Sequence, residues 1–267
     1  MKSLLLLCIL FPFFVSSQDS IVWKLDWKLN VENPVWDIDS FGNLILSYKD
    51  KLEKYDSVGH QTFSQSNKHW GQLSSIDASN PMKVLLFSEN QQLISYVDNT
   101  LSKQQDFIDL NNHELSYVTL VATSGQPDKF WVFDQDNSKI ALIARNVLQQ
   151  QRIENIRGLL GCQDVKQIIE KDNNLYLIDE QQGILKFDVY GTFVAKWEVK
   201  GINFIHIENE LVYFAQSNAL LVMELETEKI HVYNFPIPGV LKIKKDSNSL
   251  YLETSSEILK YSIQIMK

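Results

Sequence analysis

Four carboxylates, Asp39, Asp77, Glu170 and Glu208, lie at matching places in short β-prone runs that end in polar residues: VWDIDSFGN, SSIDASN, QIIEKDNN and FIHIENE. A hard cation such as calcium takes about six to eight oxygen ligands, so four acids gathered in one ring would be able to cage a metal. Two more runs place Ala122 and Lys244 at the same position. A second reading stays open, in which each carboxylate accepts hydrogen bonds from the backbone amides of the turn that ends its own run. Repeated turn geometry would repeat the position just as a metal ring would.

Other chemistry leaves few local traces. The chain has no Gly-X-Ser-X-Gly elbow, no His-Glu-X-X-His pair, no glycine-rich phosphate loop and no Cys-X-X-Cys, which removes the motif-borne routes to hydrolysis, zinc binding and nucleotide binding. Asp134 to Ser138, DQDNS, opens like a calcium-binding EF-hand loop, but Lys139 stands where the sharp turn needs glycine and Arg145 where the loop needs its last glutamate; the run is expected to be a polar turn. His60, His69, His113, His206 and His231 show no ligand spacing. Only His206 falls on an inner run. Cys162 follows Gly161, a setting that suits a buried, inert thiol.

Trp70, in NKHWGQ with Lys68 and His69 before it, is the candidate for recognition rather than catalysis. Tryptophan in a polar loop has little core to enter, and tryptophans are enriched among the residues that dominate binding energy. Local packing over a seam is the competing role for Trp70. Trp36 and Trp131 lie inside apolar strands and are expected in the core.

The elements that must position these groups repeat. LYLIDEQQGILKFDVYG, from Leu175, aligns with LILSYKDKLEKYDSVG, from Leu44: strand, polar turn, strand, an aromatic-Asp pair and a glycine. Weaker copies begin at Val84, Phe130, Leu211 and Leu250. Anchoring on Leu52, Leu93, Ile140, Ile184, Leu220 and Ile258 gives spacings of 41, 47, 44, 36 and 38 residues, the period of propeller blades with four strands each. Leu46, Leu86, Val132, Leu177, Tyr213 and Leu252 precede the anchors by a near-constant offset, as a hairpin requires.

The sixth copy stops after its third strand. Residues 21 to 31, IVWKLDWKLNV, alternate apolar and mostly polar residues with a period of two, and the expectation is that they supply the missing strand and close an all-β, six-bladed ring. NVLQQQRIENIRGLLG, from Asn146, has helical character but occupies the place of a fourth strand and its following loop, so any helix there is short.

Residues 1–17 have the plan of a secretory signal peptide, with Lys2, an apolar run from Leu4 to Val15 and a small-residue close at Ser16-Ser17; residues 18–267 are then a single propeller domain. The run is too short to span a bilayer comfortably, and the mature chain is expected to have no transmembrane segment. Cleavage would leave Cys162 alone and shift the formal charge from −8 to −9 with loss of Lys2. The cations are scattered, which argues against nucleic acid as a partner. No Asn-X-Ser/Thr acceptor is present, in keeping with a bacterial envelope protein.

Through Leu175-Tyr176, Asp179, Phe187-Asp188 and Gly191 the repeat resembles that of six-bladed NHL and TolB-type propellers, and WGQLSSIDASNPMKVLLF, from Trp70, is similar to small exported propellers of Bacteroidota-type bacteria. The resemblance implies a rigid, non-enzymatic interaction scaffold with no cofactor, exported to the periplasm or surface of a Gram-negative cell. Its partner would be an envelope or outer-membrane protein, for example a secretion pore on which the chain serves as accessory or plug subunit. Trp70, His69 and Lys68 are then the candidate contact residues. Relatives that are lactonases or lyases imply an alternative in which Asp39, Asp77, Glu170 and Glu208 hold calcium for hydrolase chemistry. A periplasmic binder of sugar or peptidoglycan fragments, working through stacked aromatics, is the third reading.

Overall fold

Each repeat is apolar on both faces of its central strands, so its sheet must be covered on both sides, and a ring of sheets achieves this by packing every blade between two others. A computed structural model describes residues 20–66, 70–144 and 147–266. Blade one comprises Val35–Ile38, Leu44–Tyr48, Lys51–Tyr55 and Gln61–Ser66; blade two comprises Ser75–Asp77, Val84–Ser88, Leu93–Val97 and Ile108–Asp109. Blade three follows with Val118–Thr123, Lys129–Asp134, Lys139–Ala144 and Val147–Ile153, and blade four with Val165–Lys171, Asn174–Asp179, Gly183–Asp188 and Phe193–Trp197. Blade five holds Ile205–Glu208, Leu211–Gln216, Ala219–Glu224 and Ile230–Asn234. In blade six, Lys242–Asp246, Ser249–Glu253 and Glu257–Met266 are joined on the outside by Ser20–Asn30. The protein is thus a propeller of six four-stranded antiparallel blades. All six anchor residues fall on third strands.

The core is distributed over the seams. Six clusters of buried side chains are found among the described residues, each straddling two blades, as where Phe87 and Ile94 of blade two meet Phe130 and Val132 of blade three. The turns between third and fourth strands explain the aromatic-Asp and glycine signature. The Oδ1 of Asp56 accepts from the amides of Val58 at 3.0 Å and His60 at 2.8 Å, that of Asp188 from Tyr190 at 2.9 Å and Thr192 at 2.8 Å. These amide donors lower the pKa of both aspartates, and Gly59 and Gly191 supply the positive φ of +89° and +84° at which the turn closes. Blade two builds the same turn on Asp98 without glycine, holding Leu101 at φ +65° because that side chain is fully buried in the seam between blades one and two.

The closing strand departs from its simple alternation in one respect. Ser20–Asn30 pairs antiparallel with Glu257–Met266, but the register shifts between Leu25 and Trp27, leaving Asp26 as a bulge. One extra residue in a strand sends the following side chains to the other face. Ile21 and Trp23 therefore pack against the seam between blades five and six, and Trp27 and Leu29 against the seam between blades six and one. A single strand seals both sides of the last blade. The sequence with helical character forms the fourth strand of blade three and then only a five-residue helix, Ile156–Leu160, ended by Gly161 at φ +73°.

Candidate functional site

The inner strands of neighbouring blades contact one another around the central channel, and their polar side chains are spent on the seams. Lys244 of blade six meets Asp37 of blade one at 2.7 Å, and the other oxygen of Asp37 accepts from the Ala78 amide of blade two at 3.0 Å. Asp77 accepts from the Thr123 amide at 2.7 Å. Glu170 reaches back to blade three, accepting from the Ser124 hydroxyl at 2.7 Å, the Gly125 amide at 2.9 Å and the Trp131 indole at 2.5 Å. Gln167 accepts from the Ile205 amide at 2.9 Å, and Lys245 pairs with Glu208. Every seam of the ring carries at least one such tie.

Of the four acids that sequence alignment groups together, Asp77, Glu170 and Glu208 take part in these ties, each at a different seam. Asp39 does not. Its Oδ1 accepts from the Phe41 and Asn43 amides at 2.9 Å, and its Oδ2 lies 3.3 Å from the Lys54 ammonium; the acid that matches Asp77 in its interblade contact is Asp37, two residues earlier. Among the described residues no three His, Cys, Asp or Glu side chains are gathered where they could hold one metal ion. Asp134, the start of the EF-hand-like run, accepts from the Ser116 amide at 2.9 Å and the Asn137 amide at 3.3 Å within the second hairpin turn of blade three.

Trp70 corrects the expectation of an exposed anchor. It lies in the loop between blades one and two but is only 3% exposed, packed with Ile45 and Leu52 of blade one and Leu73, Ile76 and Leu86 of blade two. Lys68 and His69 lie outside the described residues. Trp36 and Trp131 are in the core at 1% and 0% exposure. Cys162 is buried and unpaired, its thiol pKa raised to about 12, chiefly by burial. His206 packs on Tyr213 of its own blade with ring centres 6.1 Å apart, and burial, with Lys244 adding to it, lowers its pKa to about 3, so the ring is neutral at physiological pH.

What sequence reading overlooked is the channel mouth between blades five, six and one. The loop FPIPGVL, residues 235 to 241, joins blades five and six with no charged or hydrogen-bonding side chain, although surface loops are ordinarily polar. Phe235 anchors it beneath Trp23, with ring centres 6.1 Å apart; the Gly239 amide donates to Asn218 at 3.0 Å and the Leu241 amide to the Glu253 carbonyl at 2.8 Å. Leu241 remains 56% exposed, and Phe204, at the start of the adjacent inner strand, 38% exposed. Beside them the Lys242 ammonium sits 5.6 Å from the Phe204 ring centre and 4.5 Å from that of Trp36, donating to the Trp36 carbonyl at 2.6 Å. Burial, then the nearby Lys244, lowers its pKa to about 8. The Trp36 indole donates to Glu253 at 2.5 Å, and burial raises that carboxyl. An uncharged seven-residue stretch between two strands was the available signal.

This geometry defines a six-bladed β-propeller with a polar-tied channel and an apolar rim, consistent with the NHL/TolB-like pattern of the repeats. Among solved structures it is similar to virginiamycin B lyase from Staphylococcus aureus, in a catalytically inactive form with quinupristin (TM-score 0.64, 13% identity, 90% of this chain and 99% of that one). It is similar also to the Pan2 WD40 domain of Neurospora crassa (TM-score 0.60, 11% identity, 94% and 98%) and to BamB from Moraxella catarrhalis (TM-score 0.53, 10% identity, 90% and 98%). At such identities the likeness is one of fold. No family model matches the sequence, and no curated protein does. No helix among the described residues is long and apolar enough to cross a membrane.

Proposed function

We propose that this chain is an exported, non-enzymatic propeller that serves as a protein-interaction scaffold in the envelope of a Gram-negative bacterium, in the periplasm or at the cell surface, and that its partner is an envelope or outer-membrane protein such as a secretion pore. The observation that carries the reading is the division of labour in the molecule. Inner-strand polar groups are committed to holding blades together, while Pro236, Pro238 and Leu241 of the loop between blades five and six, with Phe204 beside them in the fold, stay exposed at the channel mouth. Binding through such a preordered surface loses little conformational freedom. The signal-peptide plan of residues 1–17 and the fold shared with BamB agree with the envelope setting.

The calcium-dependent hydrolase reading draws on the fold shared with the lyases, and it requires carboxylates free to turn toward one ion; the ties of Asp77, Glu170 and Glu208 weigh against it. The sugar-binder reading loses its aromatic platform with the burial of Trp70. Affinity capture of a tagged copy at native level from its own envelope fraction, followed by mass spectrometry, is expected to bring down an envelope protein in stoichiometric amount. A partnerless monomer would overturn the scaffold reading.

A further inference from the structure

Each blade ends on an outer strand with an open edge, and five of the six edges are blunted. Gln61–Ser66, Val147–Ile153, Phe193–Trp197 and Ser20–Asn30 each shift register against the third strand, and Ile108–Asp109 is only two residues long. Bulges and short edges keep foreign strands away. Ile230–Asn234 of blade five has neither device. It pairs with Ala219–Glu224 in unbroken register and contains no Asp, Glu, Lys, Arg or Pro. The Glu224 amide donates to the Lys229 carbonyl at 3.0 Å, which sets the phase of the ladder. Residues of an antiparallel pair alternate between bonding the neighbouring strand and pointing away from it. His231 and Tyr233 therefore bond inward as Lys229 does, while Ile230, Val232 and Asn234 present their backbone groups outward. The Asn234 carbonyl agrees, accepting from the Trp23 indole of blade six at 3.2 Å. Among the described residues nothing bonds the outward N–H and C=O groups of Ile230 and Val232. Their side chains, two positions apart, share one face of the strand and are 42% and 54% exposed.

Two acids mark one end of this edge. Glu226 and Glu228, in the turn just before Ile230, are exposed and make no ion pair or side-chain hydrogen bond among the described residues; Glu224 beside them accepts from the Thr227 hydroxyl at 2.6 Å and has Lys229 near it. Resting on the scaffold reading above, we infer that the outer edge of blade five receives an extended segment of the partner protein as a fifth strand. The segment runs antiparallel to Ile230–Asn234, with apolar side chains opposite Ile230 and Val232 and a Lys or Arg at its C-terminal end, where it meets Glu226 and Glu228. Backbone hydrogen bonds supply the affinity of such an added strand, and its alternate side chains the choice of partner. A second copy of this chain laid antiparallel would bring its uncharged run from Phe235 to Leu241 toward the acidic turn, so charge complementarity selects a different protein. Asn234 leads directly into that exposed run, which makes the edge and the channel mouth one continuous stretch of chain.

The test uses the purified full chain and the peptide acetyl-Thr-Thr-Val-Thr-Val-Thr-Lys-amide, titrated by NMR up to about 5 mM. N-methylating its two valines removes the donors that meet the Ile230 and Val232 carbonyls and is expected to weaken binding about tenfold or more, the scale of two hydrogen bonds. N-methylating the threonine between them, which points away from the edge, should leave binding nearly unchanged. Exchanging the terminal Lys for Glu should weaken it. Val232→Pro removes an outward N–H and spares the inward ladder, so it should abolish binding with little change in Tm; if this variant fails to fold, the comparison of methylated peptides on the unaltered chain still decides. No binding, equal binding of the two methylated peptides, tighter binding of the Glu peptide, or binding retained by a folded Val232→Pro protein would overturn the inference. A concentration-dependent dimer of the unaltered chain that Val232→Pro abolishes would also overturn it, assigning the edge to a second copy. Repeating the envelope capture with Val232→Pro separates the two levels: a partner retained by this variant overturns the edge and leaves the scaffold standing, whereas no partner for the unaltered chain overturns the scaffold.

Discussion

Deleting residues 20–30 is expected to convert a folded protein into an aggregating one. The strand covers the otherwise open edge of Glu257–Met266 along ten register pairs, and an uncovered edge of that length recruits other chains. It also closes two seams. Trp23 packs edge-on against Tyr261 at 5.7 Å and donates to the Asn234 carbonyl at 3.2 Å; Trp27 packs against Tyr251 at 5.8 Å and donates to the Ser57 carbonyl at 3.2 Å. Both tryptophans are partly buried, so truncating either to alanine should cost roughly 2–4 kcal/mol, somewhat below the cost for a fully buried aromatic. Deleting Asp26 alone should do far less harm than deleting the strand, because Leu25 already pairs with Tyr261 and Trp27 with Lys260, so removing the unpaired bulge residue leaves both tryptophans on their own faces. Light scattering and a thermal melt decide the matter: a soluble truncation with unchanged Tm would contradict the closure, and an Asp26 deletion as damaging as the truncation would contradict the bulge.

The second large effect is expected at Asp37. Asp37→Ala leaves the buried Lys244 ammonium without its ion-pair partner and the Ala78 amide without an acceptor, and breaking a buried pair in this way costs about 3–5 kcal/mol. Asp37→Asn, which keeps an acceptor for Ala78, should lie between the two. The double variant Asp37→Leu/Lys244→Met should recover most of the loss, since two apolar chains have no charge to strand. Burial acts to raise the pKa of Asp37, but Lys244 and Lys242 outweigh it and hold the carboxyl below its ordinary value. A carboxyl depressed in the folded state lends stability that is full above its unfolded pKa near 4 and is lost as pH falls through the folded value. The double variant should therefore show a shallower loss of stability in acid. Chemical denaturation of the three variants at pH 7 and pH 3 checks this, and an Asp37→Ala protein within about 1 kcal/mol of the unaltered chain would contradict a stabilising role for the tie between Asp37 and Lys244.

The ring was legible because its repeat is written in strictly local chemistry. The pairs Tyr55-Asp56 and Phe187-Asp188, each followed by a glycine, describe one turn whose hydrogen bonds lie within five residues. The chain therefore announces each hairpin by itself. Blade two hid its turn because Leu101 takes the glycine position, which only its burial between two blades makes tolerable. Trp70 was opaque for the same reason in reverse: Ile45 and Leu52, which cover it, precede it by about one strand or more in the chain. Choosing Asp39 over Asp37 illustrates a limit of alignment. Successive residues of a strand point to opposite faces and a turn residue to neither, so an offset of two exchanged a seam residue for a turn residue. The bulge at Asp26 left no mark in a sequence that alternates smoothly from Ile21 to Val31. The uncharged loop at 235 to 241 did leave one, in its composition.

If the inner-strand acids tie blades together and hold no metal, calcium has no site to fill, and a melt of the unaltered protein with and without about 5 mM calcium reads this out. An ion bound only by the folded state raises Tm through mass action. Coincident melting curves are expected, and likewise for Asp77→Asn and Glu170→Gln with and without calcium. A rise of several degrees in the unaltered protein, lost in either variant, would contradict it and make the carboxylates a metal site.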